Sequence, residues 1–150
     1  MTHRNCEQQR VHDQAWRQAL KSRFPKIFPA RCEIAVSEGW LPLLTELCEQ
    51  LQGLADAGEG QPEAVEVKQK FGELRLYCRL VGGPSKEIAT RVREHAGGVT
   101  IDVGQDSAFD KIIDEARRRS LRTCETCGDA GQLCEVREVV TVRCTRHAQR

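Results

Sequence analysis

Four residues near the C-terminal end have the types and spacing to hold a metal ion. Cys124 and Cys127 are two residues apart and are followed by Gly128; Cys144 and His147 repeat the spacing, with 16 residues between the pairs. Zinc takes four such ligands at tetrahedral angles. Two cysteines at this spacing reach one ion from a tight turn, and the glycine lets the backbone bend sharply and aim amides at the thiolates. A structural Zn2+ held by Cys124, Cys127, Cys144 and His147 is therefore the expected cofactor.

Other chemistries fit these residues less well. A redox Cys-x-x-Cys pair follows a strand and opens a helix, whereas here a helical pattern precedes Cys124 and "GDAGQ" follows Cys127. Cys134 could replace one ligand, although its place in the strand-like run "QLCEVREVVTVR" fits packing better. Three thiolates and an imidazole would fill the tetrahedron and leave no position for water, so no catalytic residue is assigned. The His-x-Glu that precedes Pro-Cys-x-x-Cys in nucleobase deaminases is missing, and the hairpin between the pairs carries no histidine. His3, His12 and His95 are scattered. A knuckle, a hairpin and a pair entering a helix would make a treble clef; a second knuckle would make a zinc ribbon, and both remain open.

The elements that must position this cluster can be read from periodicity. Residues 11–23 place Val11, Ala15, Ala19, Trp16 and Leu20 at helical intervals, and "FPKIFP" ends that helix. Ser37 is the expected cap of a second helix, with Pro42 in its first turn. Trp40, Leu43, Leu44, Leu47, Leu51 and Leu54 form its apolar stripe, with Cys48 as core filling. "DAGEGQP" reads as a loop. Val65 and Val67, then Leu74, Leu76, Cys78 and Leu80, alternate with polar residues around Gly72, which predicts a β-hairpin with one apolar and one cationic face. Residues 84–96 read as a helix capped by Ser85, and "GGVTIDVGQ" as a short strand. A last helix, capped by Asp106 or Ser107, aligns Phe109, Ile112, Ile113 and Ala116 and leads into Cys124.

The net charge is +1, so bulk charge implies no polyanionic partner. Its distribution is uneven. Residues 1–31 hold seven Lys/Arg against two Asp/Glu, residues 32–66 hold eight acids and no Lys/Arg, and residues 117–150 hold eight Arg against four acids. Lys68, Lys70, Arg75 and Tyr77 on the hairpin, with Arg118 and Arg122 before the cysteines, are the candidate partner-binding surface. The plainer expectation is that the hairpin's cations pair with the acidic helix. The polar N-terminus and the lack of a spanning segment point to the cytoplasm, where eight cysteines read as thiols and metal ligands.

Taken in order, "GWLPLLTELCEQL", "VKQKFGELRLYC", "CETCG" and "CTRHA" resemble a group of small, mostly uncharacterised bacterial and phage proteins. That group joins a Lys-x-Lys-Phe-Gly-x-Leu-Arg-x-Tyr hairpin to a C-terminal Cys-x-x-Cys…Cys-x-x-His finger. The resemblance covers roughly residues 38–80 and 107–148; residues 83–106 read as an insertion. It implies the architecture and the metal, and permits a mobile-element protein that occupies a host protein's surface.

The combined expectation is an α+β protein: amphipathic helices packed on a β-hairpin (residues 1–122), then a small finger (residues 123–150). It would bind a protein or a nucleic acid. The rival is a nucleic-acid-processing enzyme, for which Glu73 and Asp102 are candidate carboxylates with no motif linking them.

Overall fold

A computed structural model describes residues 3–82, 91–95, 98–102 and 107–148. The body is α+β. Helix α1 (His3–Arg23) buries Trp16 and Leu20. Val11, expected on the same stripe, is 64% exposed, because residues 5–12 extend beyond the core. Arg17 ties α1 down by donating to the Val36 carbonyl at 2.9 Å, and Arg23 pairs with Glu49.

Strand β1 (Glu33–Ala35) runs parallel to the central strand β2 (Gln61–Lys70), which pairs antiparallel with β3 (Glu73–Val81). Between β1 and β2 lies helix α2 (Leu41–Leu54). A 3-10 turn, Glu38–Trp40, precedes it; Ser37 stands before that turn and makes no side-chain capping bond. Pro42 sits in the first turn of α2, where its missing N–H costs nothing. The apolar stripe packs as expected: Trp40, Leu44, Cys48 and Leu51 are fully enclosed, with Leu54 at the margin. Each such aliphatic side chain contributes about 1.5–3 kcal/mol by leaving water. A wide turn, Ala55–Glu59, returns the chain to β2.

The hairpin differs from its sequence reading at one point. The register shifts between Ala64 and Glu66. This bulge turns Val65 outward, 54% exposed, while Ala64 and Val67 both point into the core. The two-residue tip, Phe71 and Gly72, has φ of 53° and 81°. That left-handed pair matches the twist of the strands it joins.

Residues 91–95 form strand β4 (Arg91–His95), paired antiparallel with β5 (Gly98–Asp102), so the helix expected over residues 84–96 is not formed there. Val92 pairs with Ile101. β-branched residues on both strands and the Gly97–Gly98 step favour a hairpin over a helix. The remainder of that expected helix lies outside the described residues.

Helix α3 (Ala108–Ser120) opens with a capping box. The Ser107 hydroxyl accepts from the Asp110 amide, and the Asp110 carboxylate accepts from the Ser107 amide. Phe109 and Ala116 are buried, with Ile112 and Ile113 packed beside them. The buried Ser120 hydroxyl accepts from the Leu74 amide at 2.9 Å and so covers part of the free edge of β3. The core cluster is drawn entirely from residues 16–116.

The C-terminal finger follows a turn at Leu121 and Arg122. Strands β6 (Gln132–Val136) and β7 (Val139–Arg143) form its hairpin, and α4 (Thr145–Ala148) closes it. Arg137 and Glu138 make the tight turn at φ of 49° and 66°.

Candidate metal centre

Backbone geometry assembles the four ligands. The Cys124 carbonyl accepts from the Gly128 amide at 2.8 Å, which folds residues 124–128 into a knuckle. Gly128 has φ of 82°, a conformation that a side chain would resist. The Cys124 amide in turn donates to Asp129 O at 2.7 Å. On the second arm, the Cys144 carbonyl accepts from the amides of His147 and Ala148. This first turn of α4 swings the His147 ring back over the Cys144 sulfur.

The ligand atoms of Cys124, Cys127, Cys144 and His147 all lie within 4.8 Å of one another. Cys127 Sγ is 3.7 Å from Cys144 Sγ, and His147 Nδ1 is 3.6 Å from Cys124 Sγ and 3.2 Å from Cys144 Sγ. An ion with bonds of about 2.3 Å to sulfur and about 2.0 Å to nitrogen gives tetrahedral edges of about 3.8 Å between sulfurs and about 3.5 Å between sulfur and nitrogen. The first two separations fit those edges, so the residues are spaced to receive one small ion.

The thiols are unequal. Burial pushes the Cys144 thiol up, but bonds from the His147 amide and ring, and then from Cys127, bring it down to about 6. At Cys127 the Asp129 amide draws the thiol down, but desolvation by its neighbours and the Cys124 and Cys144 sulfurs push it up to about 11. A cluster that shares protons in this way binds a cation by releasing them. Arg146 stands on the outside, 3.9 Å from Cys127 Sγ and paired with Asp129. Cys134 is not in the group; it pairs with Thr141 across the finger hairpin.

The knuckle is seated on the body. Glu125 O accepts from the Gly39 amide at 2.8 Å, and Thr123 O accepts from the Trp40 indole at 2.9 Å. The buried Glu125 carboxylate accepts from the Ser37 amide at 3.3 Å and the Thr141 hydroxyl at 2.9 Å. Gln69 donates to Val140 O at 2.6 Å, and Gly72 lies against Leu133 and Val142. Glu125 and Gly39 are invisible as site residues in the sequence. One lies between two ligands with no motif of its own, and the other matters only because the knuckle docks on it.

The candidate partner surface divides. Lys68, Lys70, Arg75 and Tyr77 share one face of the β2–β3 hairpin, with Lys68 opposite Arg75 and its ammonium 5.4 Å from the Tyr77 ring centre. The acids that neutralise this face come from the hairpin itself, not from α2. Lys68 pairs with Glu66 at 3.0 Å, Arg75 with Glu73 at 2.6 Å and Arg79 with Glu63 at 2.6 Å. The α2 acids pair elsewhere, Glu46 with Arg119 and Glu49 with Arg23. Arg118 pairs with Glu115 along α3, and it is Arg117, not Arg118 or Arg122, that reaches the hairpin at Glu73. Among the described residues, Lys70 and Arg122 have no ion-pair partner. Glu73 is committed to two arginines, and Asp102 ends β5 with its side chain outside the described residues. Among the described residues, no helix is long and apolar enough to cross a membrane.

The chain matches no protein-family model, and comparison with curated proteins and with solved structures found no match.

Proposed function

We propose that this protein is a zinc-stapled binding protein whose contact surface is the tip of the β2–β3 hairpin and the finger beside it. Three cysteines and one histidine suit zinc, and the order knuckle, hairpin, helix supports a treble-clef arrangement. Four protein ligands leave no position for water, so the ion's role is to hold the finger in shape. With three thiolates and a neutral imidazole, the occupied site carries one negative charge, and Arg146 is placed to offset it.

The observation that carries the binding role is Phe71. It is 69% exposed at the hairpin tip and held at a left-handed φ of 53°. A bulky residue there costs about 1–2 kcal/mol of backbone strain. Gln69 and Gly72, on either side of it, touch the finger, whose Leu133 and Val140 share a face and are 52% and 39% exposed. Lys70, with no ion-pair partner among the described residues, stands over the Phe71 ring at 5.8 Å. An aromatic anchor with an unpaired cation at its edge suits a protein partner that offers an apolar contact with an acidic rim. Nucleic acid is less favoured, since Lys68, Arg75, Arg117, Arg118 and Arg119 are all offset by carboxylates.

The test uses purified protein without added metal. About one equivalent of zinc is expected, as the ligand count implies, and the Cys124→Ser/Cys127→Ser variant should lose it. Affinity capture is then compared for parent and Phe71→Asn, with and without nuclease. Asparagine accepts the left-handed turn, so the variant should keep its zinc and gain up to about 1 kcal/mol of stability. It should also lose the partner. Retention of every partner by Phe71→Asn, or capture that disappears with nuclease, would remove the proposed contact surface.

A further inference from the structure

A second feature lies on the opposite face of the finger. Val139, Thr141 and Arg143 alternate along β7 and so share that face, with Val136 opposite Val139. Together with Ser37, Glu125 and His147, they line a cleft of about 630 Å³ between the finger and the start of α2. That volume falls within the usual range for small-molecule sites.

The polar groups of the cleft are unevenly satisfied. The Glu125 carboxylate is engaged by the Ser37 amide and the Thr141 hydroxyl. Arg143 is the reverse case. Its Nε is enclosed and has no hydrogen-bond partner, and among the described residues the side chain forms no ion pair. The Nε is closed to the cleft as it is to solvent, so a ligand would meet the half-buried guanidinium at its remaining N–H groups. Arg137, at the hairpin turn, also lines the cleft and has no ion pair among the described residues. The Ser37 hydroxyl forms no capping bond and is available as a further donor.

We propose that this cleft binds a monocarboxylate carried on a short apolar chain. The Arg143 fork meets a carboxylate through two parallel hydrogen bonds. Val136 and Val139 form an apolar wall beside it, suited to the chain rather than the charged head. The enclosed charge on Glu125 counts against a dianion such as phosphate and costs a single negative charge less. The site lies on the other face of the finger hairpin from Leu133, shares Gln69 with the hairpin-tip surface, and rests on the metal reading only in needing a folded finger.

The experiment uses the full-length, zinc-loaded chain with ¹⁵N-labelled arginine, following the Nε–H resonances by NMR. Acetate, butyrate, hexanoate, inorganic phosphate and chloride are titrated at constant ionic strength, and zinc content is measured on the same sample. Saturable movement of the Arg143 resonance by the carboxylates is expected. Affinity should rise by about fourfold for each methylene that reaches the valine wall. Val139→Ser should flatten that rise while leaving acetate binding in place, and Arg143→Gln, followed at the Arg137 Nε–H that also lines the cleft, should abolish binding with zinc retained. A response that is linear in every anion, chloride included, would overturn the proposal. So would tighter binding of phosphate than of hexanoate, or binding unchanged in Arg143→Gln. Loss of zinc in the parent sample would instead count against the metal reading.

Discussion

Gly39 is where the backbone of the metal knuckle packs directly on the body, and replacing it with alanine tests that junction. A β-carbon there would lie 2.5 Å from the Glu125 carbonyl carbon and closer still to the carbonyl oxygens of Cys124 and Glu125. These are backbone atoms of the metal knuckle, so they cannot swing aside as a flexible side chain would. Overpacking of this kind costs about 1–3 kcal/mol. If the knuckle lifts, the bond from the Gly39 amide to Glu125 O is lost as well, about 1 kcal/mol more. The sum is about 2–4 kcal/mol. Metal binding and finger folding are one equilibrium, so the same cost should appear as weaker metal retention, about thirtyfold to a thousandfold if it falls wholly on the finger. Urea unfolding of the metal-loaded chain and competition with a graded series of chelators would measure the two effects. Gly53→Ala is the control: it lies in α2 with nothing within 4 Å of the added carbon. It should stabilise by about 0.5–1 kcal/mol. Parental stability and metal retention in Gly39→Ala would mean that the knuckle is not seated on residues 37–40.

Two further outcomes follow from the packing. Chelation should abolish amide-exchange protection in residues 123–148 while α2 and β2 keep theirs, because the core cluster is drawn from residues 16–116 and the finger has few enclosed apolar groups beyond Val142; simultaneous loss of protection in α2 would show instead that the finger is part of the main core. Burial, and secondarily Cys32, pushes the Cys78 thiol up from 9.0 to about 12, and burial raises Cys48 as well; both groups then favour the folded state fully below pH 9.0, that contribution is lost as pH rises from there to about 12, and Cys78→Ala should unfold with a shallower alkaline slope than the parent, equal slopes arguing against the assignment.

The metal ligands were legible in the sequence because their spacing is local. Cys124 with Cys127, and Cys144 with His147, each need one turn of backbone to converge, and Gly128 marks one such turn. The stripe of α2 and the capping box of α3 were legible for the same reason: each is a pattern with a short period, satisfied within its own element. Residues 91–95 follow a cap signal and carry helix-compatible charges, but they pair as a strand with Gly98–Asp102, an outcome set by a partner segment rather than by their own pattern. Val65 faces outward against the period-two pattern because a bulge adds one residue that no such pattern records. Charge partners were equally hidden. The sequence supplied cations on the hairpin and acids on α2, but only the folded chain brought Glu66 to Lys68 and Glu73 to both Arg75 and Arg117, since an ion pair forms by proximity in space. The seat of the knuckle on Gly39, the exposure of Phe71 and the unanswered Arg143 also belong to tertiary structure. Each depends on residues tens of positions apart in the chain, and packing alone sets which of their polar and apolar groups remain free to act.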